Sequence, residues 1–311
     1  MKILRTQDEI MASWKSNLDQ PVVSICCITY NHEKFIEETL HGFLIQETDF
    51  PIEIIIHDDA STDKTASIIR EYEIKYPKII KPIYQTENQY SKGNRAAMIV
   101  YPLCRGKYIA VCEGDDYWCD PNKLSIQANY LDKNQHVVIS SHDAFIVNED
   151  GKKIKDSKLP DDHKRDYSDK ELMYDQAWLL TMNWMIRNIN IPDIPERRMV
   201  KNSDNFLISI LGAYGGSHHH DDIMPSAYRV HQGGIWSALS TDEKTDSIIN
   251  TYFWMYKYYK RIGVDECKNV FWNKFISATL SRVSTPNLII TIFKRLIPQP
   301  IKKTIRKIIR N

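Results

Sequence analysis

The sequence predicts an α/β fold in which helices flank a mainly parallel sheet. Strand-like and helix-like segments alternate four times within the first 115 residues, the pattern expected of a parallel sheet. The first strand-like segment is a nearly continuous apolar run, typical of a strand buried on both faces. Several of these segments end in polar or acidic residues. Since ligands bind at the carboxyl ends of strands in open α/β sheets, these residues predict one shared crevice.

The first part of the chain supplies the alternating elements. Residues 1–20 are expected to form a short helix that ends before Pro21. The four expected strands are 22–28, 52–56, 79–84 and 107–112. The helices expected between them are 34–43, 66–74 and 95–104.

The second part of the chain is more irregular. Its expected helices are 121–131, 204–211 and a long aromatic-rich stretch over 241–275; its expected strands are 137–146 and one that ends at 228–231. The segment 148–169 is dense in charge and is expected to be a loop. The domains expected are an α/β domain over 21–236 and a helical region over 237–311.

Composition narrows the functional class. Apolar residues make up 42% of the chain and charged residues 26%, as in ordinary globular proteins. The net charge of +1 does not favour nucleic acid as a partner. The six cysteines form no CxxC pair, which favours reduced thiols in the cytoplasm over a zinc site or disulfides. No signal-type segment and no apolar run of about 18 residues is seen, so no membrane span is expected.

Two common nucleotide-binding motifs are missing. No GxGxxG follows any expected strand, which argues against a dinucleotide-binding enzyme, and no GxxxxGK[ST] is present, which argues against a P-loop NTPase.

The most informative stretch is the acidic cluster Glu113, Asp115 and Asp116, at the end of an expected strand. Carboxylates this close raise each other's pKa unless a cation lies among them. Hard oxygen ligands suit Mg²⁺ or Mn²⁺ bound together with a substrate's phosphates. The alternative is a solvated acidic turn.

The chain resembles the inverting family-2 glycosyltransferases with a GT-A fold, of the bacterial surface-polysaccharide type. The resemblance rests on four segments in matching order and spacing, which are 21–31, 58–63, 106–118 and 228–236. It covers roughly residues 20–240 and is specific as a set. It implies a nucleotide-diphospho-sugar transferase sheet with a helical appendage.

The resemblance implies a nucleotide site at the first two strand ends. Thr29, Tyr30 and Asn31 would form a shelf for the base, with Tyr30 able to stack or donate a hydrogen bond. The alternative is an ordinary strand-to-helix turn with a cap. Asp59 would read the base edge or the ribose, and its alternative is a helix N-cap, a role that Ser61 could also serve.

The resemblance also implies a metal–ribose site. The family usually has Asp-x-Asp-Asp here, whereas this chain has Glu113 first, a longer carboxylate whose reach to the ribose differs. Asp115 is the expected direct metal ligand, and Asp116 would bind the nucleotide-sugar. His231 would offer a neutral nitrogen to the metal or diphosphate, and Arg229 a positive charge. The alternative for His231 is a hydrogen-bonded turn histidine.

An inverting transfer needs a general base on a different segment, across the sugar from the leaving diphosphate. Asp204 lies where the family places this carboxylate. The alternative is a cap of the following helix, and Asp193 and Glu196 are the competing bases. Trp236, after the hinge-like Gly233 and its neighbour, would belong to a lid over the donor.

Three further features have both a functional and a structural interpretation. Trp184 could offer a face to an acceptor sugar, but a buried core position is favoured. The histidine run 218–220 is given no site role, because neighbouring residues on a strand point to opposite faces. Lys92 and Arg95 could hold the diphosphate or lie in a solvated loop.

The tail, residues 287–311, has isoleucines on one helical face and basic residues on the other. This pattern predicts an amphipathic segment on an anionic membrane, and hence a protein peripheral to the inner face of the cell membrane. The alternative is a basic helix packed on the domain.

The expected activity is transfer of a sugar from a nucleotide-sugar, first of all a UDP-sugar, to a hydroxyl of a glycan or lipid-linked acceptor, with Mn²⁺ or Mg²⁺. A nucleotidyltransferase is a second interpretation, but it would want a Gly-rich basic loop after the first strand. A non-catalytic glycan-binding or scaffold subunit is a third, and it would show no metal-dependent nucleotide binding.

Overall fold

A computed structural model describes residues 4–15, 20–191, 194–234 and 239–282. The described residues form two compact units. The first holds those up to residue 198 together with 203–239, and the second holds 199–202 and 240–282. No helix in these ranges is both long enough and apolar enough to cross a bilayer.

Two sheets lie in the first unit. Their strands are β1 (Val23–Thr29), β2 (Ile52–Asp58), β3 (Ile80–Tyr84), β4 (Tyr108–Val111), β5 (Val137–His142), β6 (Ala144–Val147), β7 (Lys153–Lys155), β8 (Met185–Arg187), β9 (Gly216–His220) and β10 (Ser226–Arg229). The larger sheet has the order β3-β2-β1-β4-β8-β5-β9, and the smaller one has the order β10-β6-β7. In the larger sheet only β8 pairs antiparallel with its neighbours, which confirms the predicted mainly parallel sheet.

Helices cover both faces of the large sheet. The helices of this first unit are α1 (Gln7–Ala12), α2 (Ile36–Leu44), α3 (Thr65–Lys75), α4 (Ala96–Val100), α5 (Lys123–Lys133), α6 (Asp169–Met173) and α7 (Ser203–Leu211). The second unit contains α8 (Thr241–Ile262) and α9 (Asp265–Ser281). Alternate residues of β2 enter different cores: Ile54 packs with α2, α3 and α5, whereas Ile55 packs with α4 and α7. A strand buried on both faces is apolar along most of its length, which explains the nearly continuous runs in the sequence.

The predicted strand 137–146 was wrong in one respect, because it is two strands in two sheets. The break is at Asp143, whose Oδ1 accepts hydrogen bonds from the backbone N–H of Ala144 (2.7 Å) and Leu159 (3.0 Å). These bonds turn the chain out of the large sheet. The expected loop 148–169 contains β7, which pairs with β6.

The largest differences in bounds concern three predicted helices. The first, expected over 1–20, begins after a capping box at Thr6 and ends at Ala12 in the described residues. The helix expected over 95–104 ends at Val100, because Pro102 lacks the N–H that an α-helix needs. The aromatic stretch is two helices, separated at Gly263, whose φ of 75° suits glycine.

Candidate active site

The loops after β1, β2 and β4 are hydrogen-bonded to one another at one edge of the sheet. The Asp59 N–H donates to the Thr29 carbonyl (3.0 Å), and the Gly114 N–H donates to the Ile28 carbonyl (2.9 Å). The three polar strand ends identified in the sequence therefore meet in one place, as the parallel sheet requires.

Gly114 allows the acidic loop to lie directly on the first strand. A Cβ at this position would be 2.5 Å from Thr29 Oγ1 and 3.0 Å from His32 Nδ1. Only glycine permits this approach, which brings the neighbouring Asp115 beside His32.

Hydrogen bonds of Thr39 and Asp116 hold the acidic loop in place. The Thr39 hydroxyl of α2 lies within hydrogen-bonding distance of the Gly114 carbonyl (3.1 Å) and the Asp116 carbonyl (2.7 Å). Asp116 is buried, and its Oδ1 accepts the backbone N–H of Arg229 at 2.7 Å. Asp116 was predicted to bind the nucleotide-sugar, but its contacts link the loop to β10.

Three side chains from distant parts of the chain come together above this loop. His231 Nε2 lies 3.0 Å from Asp115 Oδ2, and His32 Nε2 lies 3.9 Å from the same oxygen. One ligand atom from each of the three residues lies within 4.8 Å of the others. Two imidazoles and a carboxylate suit Mn²⁺ and other transition-metal dications better than Mg²⁺, which prefers oxygen.

His231 is also held by the loop that follows it. The Gly233 N–H donates to His231 Nδ1 at 3.2 Å. The proton of the neutral ring then resides on Nε2, where it is donated to Asp115. A metal at this nitrogen would take the place of that proton.

The electrostatics of the crevice favour a cation. Burial alone would raise the pKa of Asp115, but the hydrogen bond from His231 and the nearby His32 hold it below its usual range. Burial raises the pKa of Glu113 to about 8, and the charges of Asp204 and Asp115 add to the shift. The charge of Asp204 therefore acts on Glu113, although Glu113 follows β4 and Asp204 lies on α7. A bound cation would relieve this repulsion.

Asp204, the predicted general base, lies in the first turn of α7, one residue past its start. The Thr181 hydroxyl donates to its Oδ2 at 3.0 Å. Asp204 is exposed as a whole residue, but the protein around its carboxyl raises the pKa by burial. Hydrogen bonds from Thr181 and Ser203 and the charges of Arg197 and Arg95 partly offset this rise.

Of the two competing bases, Glu196 is buried in a short 3₁₀ turn. Asp193 lies outside the described residues. An accessible carboxylate whose pKa is raised by its surroundings is what a general base requires, so Asp204 fits the role better than Glu196.

The residues predicted to bind the nucleotide divide into one accessible side chain and two that hold the loops. The Tyr30 side chain is 43% exposed and can offer its ring to a ligand. Thr29 is buried, with its hydroxyl 3.1 Å from His32 Nδ1. Asn31, at φ 55°, accepts the Thr62 N–H through its Oδ1 (2.8 Å) and so ties the β1 loop to the β2 loop.

Asp59 holds a neighbouring loop. Its carboxylate accepts the backbone N–H of Gln89 (2.7 Å) and of Tyr90 (3.0 Å). Asp59 was predicted to contact the base edge or the ribose of the nucleotide. In this structure it holds the segment that follows β3. Tyr90 is 49% exposed, and the Arg95 guanidinium lies 5.7 Å from its ring centre.

Arg229 was predicted to offer its charge to the nucleotide-sugar, but its guanidinium is buried and engaged within the protein. Nε donates to the Asp115 carbonyl (3.0 Å), Nη1 to the Glu149 carbonyl (3.0 Å), and Nη2 to the Glu38 carboxylate. Arg229 therefore clamps the acidic loop that carries Asp115.

The remaining features singled out in the sequence make their contacts elsewhere in the protein or lie outside the described residues. Trp184 is fully buried, which confirms the core interpretation. His218 stacks on Tyr130 with ring centres 3.7 Å apart, and His220 Nε2 lies 2.9 Å from Ser140 Oγ, so the histidine run serves the edge strand. Lys92 pairs with Glu87 at the surface. Trp236 and the 287–311 tail lie outside the described residues.

His32 is the site residue that sequence reasoning missed. Its signal was present, because it comes three residues after Thr29 at the end of the first strand. What the sequence did not show is that Gly114 lets the two strand ends touch, which puts this ring beside Asp115.

The comparisons with known proteins agree with this arrangement. The family model described as Glycosyl transferase family 2 matches residues 24–185. A protein of Mycobacterium tuberculosis with no described function is 37% identical over 71% of this chain and 62% of its own length. The UDP-Glc:alpha-D-GlcNAc-diphosphoundecaprenol beta-1,3-glucosyltransferase WfaP of Escherichia coli is 35% identical over 42% of this chain and 48% of its own. The chain thus spans about three fifths or less of the length of these relatives.

Two solved structures share the fold at low sequence identity. S. aureus TarS 1-349, in complex with UDP-GlcNAc, is 18% identical with a TM-score of 0.57, over 82% of this chain and 72% of that one. The mannosyltransferase PcManGT of Pyrobaculum calidifontis, in complex with GDP-Man and Mn²⁺, is 16% identical with a TM-score of 0.52, over 96% and 88%. These likenesses agree with the predicted GT-A fold, and the match over half of the sequence shows that the chain belongs to glycosyl transferase family 2.

Proposed function

We propose that this protein transfers a sugar from a nucleotide-sugar, first of all a UDP-sugar, to a hydroxyl of a glycan or lipid-linked acceptor. The observation that carries the proposal is the arrangement in which Asp115 contacts His231 and the charges of Asp204 and Asp115 act on Glu113. It combines a cation site with a separate carboxylate of raised pKa, and an inverting displacement needs both. The donor of WfaP is UDP-Glc and its acceptor is alpha-D-GlcNAc-diphosphoundecaprenol, which supports the choice of donor and acceptor class.

Asp115 and His231 would hold Mn²⁺ or Mg²⁺ in this function. The ion would neutralise the diphosphate as it leaves, which is Lewis-acid chemistry. Glu113, the longer carboxylate in the first position, would face the ribose, and Tyr30 would offer a ring to the base. Asp116 and the other anchoring residues would act indirectly, by fixing the loops that carry these groups.

Asp204 would take the proton from the acceptor hydroxyl. Its hydrogen bond from Thr181 orients the carboxylate, and its place on α7 separates it from the strand ends that would hold the diphosphate. The acceptor oxygen can then attack the sugar from the side opposite the leaving group, which inverts the configuration.

Nucleotide release is the direct test. The full chain is incubated with UDP-glucose, UDP-N-acetylglucosamine and GDP-mannose, each with Mn²⁺ and a polyprenyl-diphosphate sugar acceptor. We expect acceptor-dependent release of nucleotide from one UDP-sugar, and its loss when the metal is chelated. Tight binding of the acceptor glycan, without metal-dependent nucleotide binding and without release from any donor, would favour the non-catalytic scaffold instead.

A further inference from the structure

His32 is held rigidly with one ring nitrogen toward the proposed metal site. Its backbone N–H donates to Thr65 Oγ1 at 2.8 Å, and its Nδ1 lies 3.1 Å from Thr29 Oγ1. With Nδ1 engaged, Nε2 is the nitrogen that faces Asp115, at 3.9 Å. A hydrogen bond at the second ring nitrogen is the usual way in which a protein orients a metal-binding histidine.

We propose that His32 is a third protein ligand of the divalent ion, beside Asp115 and His231. The inference rests on the proposed function, because it concerns the ion that this function requires. The resulting donor set is two imidazoles and one carboxylate. Such a centre holds a transition-metal dication before the nucleotide binds and leaves positions open for diphosphate oxygens.

The distances suit one shared ion. Ligand atoms about 2.1 Å from an ion lie roughly 3 Å apart at right angles and roughly 4.2 Å apart on opposite sides. The separations of 3.0 and 3.9 Å from Asp115 Oδ2 fall within this range. The full set lies within 4.8 Å, so small side-chain shifts bring all three atoms into reach.

The ligand types determine which ion is preferred. Imidazole nitrogen suits Zn²⁺ and the later transition-metal dications best, and Mn²⁺ accepts it more readily than Mg²⁺, which prefers oxygen and keeps much of its water. A site with only one histidine would depend on the nucleotide's oxygens to hold the ion. With His32 added, the protein alone supplies three ligands, so Mn²⁺ binds without nucleotide and in preference to Mg²⁺.

The test measures Mn²⁺ binding by the full chain without nucleotide, from the electron paramagnetic resonance signal of the free ion. His32→Asn keeps an amide nitrogen near Thr29 but lacks Nε2. His136→Ala is the control, since it removes an exposed histidine before β5. We expect one bound Mn²⁺ in the wild type and in the control, and at least tenfold weaker binding in His32→Asn.

Equal Mn²⁺ affinity of the wild type and His32→Asn, with weak binding by Asp115→Asn, would overturn the role of His32 and leave the proposed function standing. Unchanged binding in Asp115→Asn as well would overturn the metal site itself. Competition on the wild type tests the inference without relying on a variant's fold. We expect Mg²⁺ at a hundredfold excess to leave most of the Mn²⁺ bound, and ready displacement would contradict the two-histidine centre.

Discussion

The carboxylates of the crevice divide by their hydrogen-bond partners. Asp59 and Asp116 accept backbone amides and hold loops together, whereas Glu113, Asp115 and Asp204 face the crevice or the histidines. Asp59 accepts two backbone amides and Asp116 accepts one, so these contacts lie within the protein. The proposed chemistry therefore belongs to Glu113, Asp115 and Asp204. Asp59 and Asp116 position the loops.

Asp204→Asn should lower turnover by about 10²- to 10⁴-fold and leave donor affinity unchanged, because a general base acts only in the chemical step. Steady-state kinetics and calorimetry with UDP measure the two effects. Asp162→Asn, at an exposed aspartate, is the matched control. Near wild-type turnover in Asp204→Asn would move the base to Glu196 or Asp193.

The pH dependence of turnover is a second test of the role of Asp204. Burial raises the pKa of Asp204, and a base must be ionised to accept a proton. Turnover should therefore fall as pH falls through this raised pKa, and the acid limb should lie above the value of an ordinary aspartate, about 3.9. A profile that stays flat down to that value would contradict the assignment.

The sequence shows which residues follow a strand, but not which amides they meet. It could predict, through the family resemblance, that Asp115 and His231 belong together, and the structure places them in contact. It could not show that the segment after β3 presents two N–H groups to Asp59, or that Arg229 is enclosed by carbonyls. Those contacts depend on loop conformations that side-chain patterns do not encode.

Among the secondary-structure elements, the strands could be predicted from the sequence more readily than the helix bounds. A continuous apolar run is what burial on both faces demands, so β1 and β2 could be located from the sequence. The split between β5 and β6 could not, because it depends on the hydrogen bonds that Asp143 makes with Leu159, in a separate part of the chain. The helix α5 carries a further unexpected feature, a fully buried Lys123.

Lys123 should make stability depend on pH. Its Nζ lies 2.6 Å from Gln127 Oε1 and 4.0 Å from the centre of the Trp118 ring, and burial lowers its pKa to about 7. Between about pH 10 and 7 the unfolded lysine binds a proton that the folded one does not. Stability should therefore fall as pH falls through this window, by about 1.4 kcal/mol per unit, and level off below 7.

Urea unfolding of the wild type and Lys123→Met at pH 8 and pH 10 measures this effect. The stability of the variant relative to the wild type should rise by about 2 kcal/mol from pH 10 to pH 8. Lys133→Met, at an exposed position of the same helix, should show no such trend. A constant difference between Lys123→Met and the wild type would mean that Lys123 stays protonated in the folded protein.

In the whole molecule, the proposed catalytic groups lie in one unit and the helices α8 and α9 lie in the other. Residues 283–311 lie outside the described ranges, so their role rests on the sequence. The proposal for residues 287–311, within this stretch, is an amphipathic segment on the inner face of the cell membrane, beside a lipid-linked acceptor.

Deletion of residues 287–311 should release the protein from anionic vesicles and spare its donor binding. Each Lys or Arg near such a surface contributes about 1 kcal/mol, so high salt should also weaken the binding of the full chain. Co-sedimentation of both forms at low and high salt is the measurement. Equal pelleting of the two forms would mean that the tail is a basic segment packed on the protein.

The central claim is that Asp115 holds a divalent ion through which a nucleotide diphosphate binds. Calorimetry with UDP, with and without Mn²⁺, tests it most directly on the wild type, Asp115→Asn and the control Asp162→Asn. We expect Mn²⁺ to strengthen UDP binding at least tenfold in the wild type and the control, and to have no effect in Asp115→Asn at unchanged Tm. UDP binding that ignores Mn²⁺ in the wild type, or a full Mn²⁺ effect in Asp115→Asn, would contradict the account.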